Sequence, residues 1–171
     1  PAALTVTAEA KSKTYGDADP ELTYTATGLV GEDKLTGALS RAKGENVGEH
    51  AITQGTLAAG SNYTLTFTGA DLTITARIVT LSWSETTSFT YDGSEHSINA
   101  QVSNAVNGDT FTLTYENNAK TDVGSYTAKV TGLGNNNYTP DGATGVTQAW
   151  SIGVASIAGA TVTLSPESFT Y

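Results

Sequence analysis

The sequence predicts an all-β protein built from two small tandem modules. Threonine alternates with apolar residues through much of the chain, and a period of two residues is typical of half-buried strands. Clusters of glycine, asparagine and aspartate separate these runs and are typical of tight turns. Short motifs also recur in the same order along the chain. The pattern favours mainly antiparallel sheets with threonine on the exposed face.

The alternation defines the candidate strands in order, and it is clearest in segments 4–7, 64–68, 72–75, 110–115 and 161–164. A helix is favoured only in segment 32–42, where Leu35 and Leu39 have helical spacing. Gly37 interrupts that segment, and the corresponding segment 108–115 alternates as a strand. We therefore expect strand or turn there.

Three motifs in the first half of the chain recur in the second half. The first pair consists of the turn motifs Tyr15-Gly16-Asp17 and Tyr91-Asp92-Gly93, and their tyrosines are 76 positions apart. The other two recurring pairs are Asn46-Val47-Gly48 with Asp122-Val123-Gly124, and Asn62-Tyr63-Thr64 with Asn137-Tyr138-Thr139. Self-similarity at a fixed period indicates duplication of one structural unit.

The repeats divide the chain into a first module at residues 1–76 and a second at residues 77–153. Residues 154–171 are predicted to be a linker and the start of a truncated third module, because Thr163-Leu164-Ser165 repeats Thr80-Leu81-Ser82. No Gly/Ser-rich or Pro-rich linker separates the first two modules. Since only Ala76 and Arg77 join the flanking apolar strands, we expect an end-to-end, stiff arrangement.

The composition excludes several functions. With 17 acidic and 8 basic residues, the net charge is -9, and no basic stripe is present to neutralise nucleic acid or anionic lipid. No apolar run is long enough for a membrane span, so this segment is not expected to insert into a membrane. Cysteine and methionine are both absent, which excludes disulfides and thiolate metal sites.

The motifs resemble those of the MBG-type domains, which carry Tyr-Gly-x or Tyr-Asp-Gly signatures. The first module contains Tyr15-Gly16-Asp17, and the resemblance extends over nearly the whole module. The second module contains Tyr91-Asp92-Gly93 and matches well at both ends. The resemblance implies a small β module, β-grasp-like or immunoglobulin-like, repeated in adhesin-like proteins that are secreted by bacteria or attached to their surface.

Such a resemblance supplies no catalytic residues, and we predict no enzymatic activity. Nucleophilic catalysis needs a hydroxyl, a base and a group that orients the base. The chain has only two histidines, His50 and His96, at non-equivalent places in the two modules. We expect both to be structural or solvated, with His50 in the position of Tyr126. The predicted role is a non-catalytic extracellular stalk that projects a distal head from the bacterial cell surface.

Two binding alternatives stay open. Asp17, Asp19 and Glu21 alternate near a turn and are weak calcium candidates, since calcium prefers carboxylate oxygens; no other cofactor is expected. Trp83 and Trp150 lie near the first and last strands of the second module and could meet on one face, where they would bind a host glycan or protein. Neighbouring repeats of the same chain are the other expected partners.

Two further expectations concern the motif residues. The recurring tyrosines Tyr15, Tyr91 and Tyr171 are predicted to be core or corner residues whose hydroxyls bond to the backbone. Lysines such as Lys11, Lys13 and Lys120 could form an intramolecular isopeptide bond with an asparagine or aspartate, because load-bearing surface shafts use such cross-links.

Overall fold

The computed structural model describes residues 1–106, 108–142 and 145–161. All regular secondary structure in these residues is β-strand, and none of them is in a helix. The all-β prediction is therefore confirmed. Most of the segment predicted to open a third module, including Tyr171, lies outside the described residues. No described residue belongs to a helix that could cross a membrane.

The first module is formed by seven strands arranged in two sheets. One sheet has the order β3-β1-β6 and the other the order β2-β7-β5-β4. The strands are β1 (Ala2–Ala8), β2 (Lys11–Thr14), β3 (Tyr24–Thr27), β4 (Ser40–Arg41), β5 (Gly48–Thr53), β6 (Tyr63–Thr68) and β7 (Ala70–Thr75).

After Ala76, the described residues of the second module (77–106, 108–142 and 145–153) form nine strands. They are β8 (Arg77–Trp83), β9 (Ser88–Thr90), β10 (His96–Ser97), β11 (Ala100–Ser103), β12 (Thr114–Glu116), β13 (Ala119–Lys120), β14 (Gly124–Gly132), β15 (Tyr138–Pro140) and β16 (Thr147–Gly153). Its two main sheets have the orders β11-β8-β15 and β12-β14-β16-β9, and β10 pairs with β13.

Both modules have the same topology. The first strand of each, β1 or β8, lies between an antiparallel neighbour and a parallel one. The last strand of each, β7 or β16, lies between a parallel neighbour and an antiparallel one. The duplication predicted from the motifs is therefore a duplication of the fold.

Antiparallel pairs predominate, but the modules also contain parallel pairs that the alternation of residues did not indicate. Strands β1 and β6 are parallel, as are β2 and β7, and the second module repeats both pairings. A parallel pair requires a long crossover connection, and strand periodicity carries no information about direction. In the part of the chain that the structure describes, each module has two main sheets and no helix.

Each module encloses its own apolar core. In the first module, Leu39 and Phe67 contact both buried clusters and so join the cores under the two sheets. In the second module, Trp83 has the same position between two clusters. The alternating strands place their apolar residues in these cores, as in β1, where Leu4 and Val6 are fully buried.

Candidate functional site

The two modules meet at a joint where three of the repeated motifs come together. Strand β2 runs parallel to β7, and the amide of Tyr15 donates to the carbonyl of Thr75 at 2.9 Å. The turn that follows, Tyr15–Asp17, therefore lies beside the end of β7, where the chain passes through Ala76 into the second module. We call these three residues the Tyr–Gly turn.

Strand pairing brings the other two motifs to the same place. The motif Asn46-Val47 precedes β5, which is antiparallel to β7 with Gly48 opposite Ile74. The motif containing Asn137 precedes β15, which is parallel to β8 with Tyr138 opposite Arg77. Two motifs of the first module thus face one motif of the second.

Tyr15 belongs to the first module but packs into the core of the second. Its ring meets the ring of Tyr138 edge to face, with centroids 5.3 Å apart. Its hydroxyl donates to Oδ2 of Asp109 at 3.0 Å. The hydrogen bond to the Asp109 carboxylate, followed by burial, raises the pKa of the Tyr15 hydroxyl. The expectation of a backbone partner for this hydroxyl is wrong, because the partner is a carboxylate of the neighbouring module.

Four residues of the second module form the surface that receives this turn. The same Asp109 carboxylate also accepts a hydrogen bond from the Tyr138 hydroxyl, which in turn accepts one from the amide of Val106 at 2.9 Å. Burial, followed by the contact with Asp109, raises the pKa of Tyr138. We call Val106, Asp109, Asn137 and Tyr138 the receiving face.

Gly16 is required at the centre of the joint. A Cβ atom at this position would lie 2.3 Å from Cγ2 of Val106, and the backbone φ is +83°. Both the close approach and the positive φ exclude an ordinary side chain without a shift of the structure. The glycine of the Tyr-Gly-x motif therefore allows the two modules to come into direct contact.

Asn137 fixes the second motif of the first module. Its side-chain Oδ1 accepts a hydrogen bond from the amide of Val47 at 2.9 Å, and its Nδ2 donates to Oδ1 of Asn46 at 3.0 Å. Its backbone carbonyl accepts from the amide of Arg77 at 3.0 Å. One asparagine thus connects the linking strand and both modules.

Arg77, the first residue of β8, holds the Tyr–Gly turn from the side. Its Nε donates to the carbonyl of Tyr15 at 2.8 Å, and its Nη2 forms an ion pair with Asp17. The planar guanidinium can make both contacts at once because its donors point in fixed directions. The residue that links the modules therefore also restrains their orientation.

A cluster of ion pairs supports the joint within the first module. The Lys13 ammonium, whose side chain is 5% exposed, lies 2.6 Å from Asp19 and 2.6 Å from Glu45. Arg41 binds the same two carboxylates. Hydrogen bonds from Arg41 and Lys13 lower the pKa of Asp19 to about 2. The cluster ties the segment after the Tyr–Gly turn to the segment before Asn46.

Two of the three calcium candidates, Asp17 and Asp19, face cations, whereas Glu21 is exposed and has no ion pair with the described residues. Asp17 pairs with Arg77, and Asp19 pairs with Lys13 and Arg41. In the described residues, no group of three or more acidic or histidine side chains is arranged to hold a metal ion. Since the carboxylates of Asp17 and Asp19 are already neutralised, the geometry does not favour calcium, which needs six to eight oxygen ligands.

Lys13 lies within hydrogen-bonding distance of Asp19 and Glu45. A lysine beside an aspartate and a second acid is the residue combination of an isopeptide cross-link. Its chemistry is unsuited to that reaction. Hydrogen bonds from Lys13 to Asp19 and Glu45 raise the pKa of the amine, and the same contacts lower the pKa of Glu45. A charged amine is not a nucleophile, and an ionised acid cannot donate the proton that amide formation requires. The arrangement is a salt-bridge cluster.

The two tryptophans are used mainly for packing. Trp150 is 3% exposed and donates from Nε1 to the carbonyl of Asn117 at 2.9 Å, so very little of its side chain is accessible to a ligand. Trp83 packs against Tyr115 and donates to the carbonyl of Gly145 at 2.5 Å. One side of Trp83 borders a hollow of about 600 Å³ lined by Ser82, Ser84, Glu85, Asn99 and Gln101.

The histidines have structural contacts. Nε2 of His50 donates to the carbonyl of Asn46 at 2.8 Å, and the hydroxyl of Tyr126 donates to the carbonyl of Asp122 at 2.7 Å. The two side chains therefore close the same turn in the two modules, as their aligned positions predict. His96 stacks on Phe89 and lies 3.1 Å from Asp92.

Sequence reasoning missed the receiving face, although a signal for it was present. Val30 and Asp33 precede Val106 and Asp109 by 76 positions, the same period as the recognised motifs. The segments were interpreted only as turns. The valine and aspartate of these turns recur together with Tyr63 and Tyr138. This repetition would have indicated that the same contacts between a loop and a strand form in both modules.

Comparison with known proteins agrees with this organisation. The model of the MBG domain (YGX type) family matches the chain twice, over residues 4–73 and 79–146. No curated protein and no solved structure is significantly similar to the chain. MBG repeats are a non-enzymatic, structural type of domain. The two matches cover most of the chain, and the protein therefore belongs to the MBG domain (YGX type) family as a tandem pair of these domains.

Proposed function

We propose that the chain is a non-catalytic spacer in the stalk of a bacterial extracellular, adhesin-like protein, where it projects a distal head from the cell surface. The observation that carries this proposal is the insertion of Tyr15 from the first module into the core of the second. A spacer that projects a head needs joints that resist bending. The packing of Tyr15 into the second module restrains the joint, whereas a flexible linker would leave it free to bend.

The other contacts at the joint support the same role. Ala76 alone separates β7 from β8. Asn137 and Arg77 each make contacts on both sides of the connection. Together with the packing of Val106 against Gly16, these contacts restrain the relative orientation of the modules from several directions.

The surface chemistry is also suited to an extracellular spacer. The net charge of -9 keeps the chain soluble, and the absence of cysteine and methionine leaves no sulfur to oxidise. In this proposal the neighbouring repeats are the partners of each module, and no metal or other cofactor takes part.

Small-angle scattering on the full chain, with and without calcium, tests the proposal. We expect an elongated particle with one dominant conformation, unchanged by calcium. Gly16→Val should broaden the distribution of conformations because the new side chain forces Val106 away. Gly93→Val is the matched control, since Gly93 has the same φ of +83° but no atom within 4 Å of an added Cβ.

A compact, folded-back particle for the unaltered chain would contradict the spacer proposal. A broad distribution for the unaltered chain, equal to that of Gly16→Val, would contradict the stiff joint. Extension only in calcium would show that carboxylates such as Asp17 bind the metal in place of their cationic partners.

The hollow beside Trp83 supports a second candidate, binding of a glycan. Its lining combines one side of an indole with the side chains of Glu85, Asn99 and Gln101, a mixture of apolar and hydrogen-bonding groups that suits a sugar ring. Titration of the full chain with glycans, followed by the indole N–H signal of Trp83 in NMR spectra, tests this candidate. The signal of the buried Trp150 is the internal control.

A further inference from the structure

We propose that the surface formed by Val30, Asp33, Asn62 and Tyr63 in the first module is a docking face for the Tyr–Gly turn of a preceding MBG module in the same polypeptide. The proposal rests on the proposed function in one respect, namely that modules follow one another in series. It goes beyond it by assigning the recognition surface and the structural element that occupies it.

The first module reproduces the hydrogen bonds of the receiving face. The amide of Val30 donates to the hydroxyl of Tyr63 at 3.0 Å, as Val106 does to Tyr138 at 2.9 Å. The hydroxyl of Tyr63 donates to Oδ2 of Asp33 at 2.6 Å. The corresponding hydroxyl in the second module donates to Asp109.

The backbone around these residues is equivalent as well. The amide of Ala2 donates to the carbonyl of Asn62 at 2.7 Å, as the amide of Arg77 does to the carbonyl of Asn137 at 3.0 Å. Strand β1 pairs with β6 in the same parallel direction as β8 with β15. Ala2 therefore occupies the position of Arg77.

The two faces differ in what covers them. Tyr138 is 6% exposed under the ring of Tyr15, whereas Tyr63 is only half-buried. Val30 is 63% exposed, whereas Val106 is half-buried against Gly16. Asp33 and Asn62 are likewise exposed, and their counterparts Asp109 and Asn137 are half-buried.

The paired groups identify the element that fits this surface. The Asp33 carboxylate is in position to accept a tyrosine hydroxyl, as Asp109 accepts that of Tyr15. Val30 requires a neighbouring backbone without a Cβ atom, which Gly16 provides for Val106. A Tyr-Gly turn has both features. The Tyr91-Asp92 turn has a side chain where Gly16 has none, so it is the poorer match.

A three-module chain tests the inference. Residues 1–76 are fused in front of residues 2–171, so that a Tyr–Gly turn precedes a copy of the chain that begins at Ala2. In that copy, Ala2→Arg supplies the guanidinium that Arg77 provides at the existing joint. Because the chain contains no cysteine, one Val30→Cys substitution in the second copy reports on exposure of the docking face through its rate of reaction with a thiol reagent.

We expect the Val30→Cys thiol to react on the order of ten-fold more slowly in the three-module chain than in the two-module chain, because burial hinders access. Its rate should approach that of Val106→Cys in the two-module chain. Gly16→Val in the leading copy should restore fast reaction. Glu32→Cys is the matched control and should react fast in both chains, because its counterpart Gly108 lies open at the existing joint.

Equal rates for Val30→Cys in the two chains would overturn the inference. Protection that persists after Gly16→Val would also overturn it, because the covering element would then not be the Tyr–Gly turn. Failure of the spacer proposal is distinguishable, since scattering on the two-module chain reports on the joint at Tyr15 and not on Val30.

Discussion

Tyr15 and Asp109 lie 94 residues apart in the sequence, and their side chains form a hydrogen bond of 3.0 Å that connects one MBG module to the next. The tyrosine comes from the motif that characterises the first module, and the aspartate from a turn of the second. The Tyr-Gly-x motif of the first module is thus an element of contact between the two modules.

Tyr15→Phe should destabilise the second module by about 1.5–3 kcal/mol, the usual contribution of a hydrogen bond to a charged group. The ring contact with Tyr138 is retained, so the change isolates the hydroxyl. Urea denaturation of the full chain, followed by the fluorescence of Trp83 and Trp150, measures the effect. Tyr91→Phe is the control, because Tyr91 is 41% exposed and its hydroxyl has no hydrogen bond to the described residues. Equal loss in both variants would contradict a specific contribution of Tyr15.

Gly16→Ala should cost about 1–3 kcal/mol, because it combines strain at a positive φ with overpacking against Val106. Val106→Ala should relieve the overpacking, so the double variant should be less destabilised than the sum of the two single variants. Denaturation of the four chains in a double-mutant cycle measures this coupling. Gly93→Ala gives the cost of the φ strain alone. Additive effects would show that residues 16 and 106 are not energetically coupled and would contradict the predicted overpacking.

The ion-pair cluster should make stability depend on acid pH. Since the pKa of Asp19 in the folded chain is about 2, below the value of about 3.9 for an unfolded aspartate, its contribution is complete above pH 4. It is lost as the pH falls from about 4 to about 2. The loss should be about 1 kcal/mol or less, because the Asp19 side chain is 42% exposed and solvent screens the pair.

Denaturation across this pH range, compared with Asp19→Asn, measures the contribution of the cluster. The variant should be less stable at neutral pH and should converge on the unaltered chain at the acid end. Parallel curves for the two proteins would show that the charge of Asp19 does not contribute.

The intact mass of the folded chain should equal the mass calculated from its sequence. An isopeptide bond between Lys13 and Asp19 would release one water molecule, and the contacts that keep both groups charged oppose this reaction. Mass spectrometry after complete denaturation measures the difference directly, with Lys13→Arg as the uncross-linked standard. A deficit of one water that is absent in Lys13→Arg would contradict the prediction.

The sequence predicted the fold class and the duplication because both depend on local pattern. Alternation of apolar residues in segments such as 4–7 and 72–75 indicates strands wherever the chain places them. The spacing between Tyr15 and Tyr91 indicates duplication without any knowledge of contacts. Parallel pairing, as of β1 with β6, was not predicted, because it depends on how the chain crosses between sheets.

The joint could not be predicted in the same way, because its contacts connect residues that are distant in sequence. A recurring tyrosine is compatible with a core, a corner or an interface, and only the proximity of Asp109 distinguishes them. The alternating acids Asp17 and Asp19 suggested calcium because their cationic partners Arg77 and Arg41 are not their sequence neighbours. The sequence suggested Trp150 as a ligand contact because sequence alone does not show that its side chain is buried.

Because Tyr15 completes the core of the module that follows it, the stability of the second module depends in part on the first. Such nearest-neighbour coupling is the basis of cooperative unfolding in linear repeat proteins. The contact is also directional, since the first module presents the turn and the second module receives it. An array joined in this way has a fixed polarity and does not close into a ring unless its rotation per module happens to permit it.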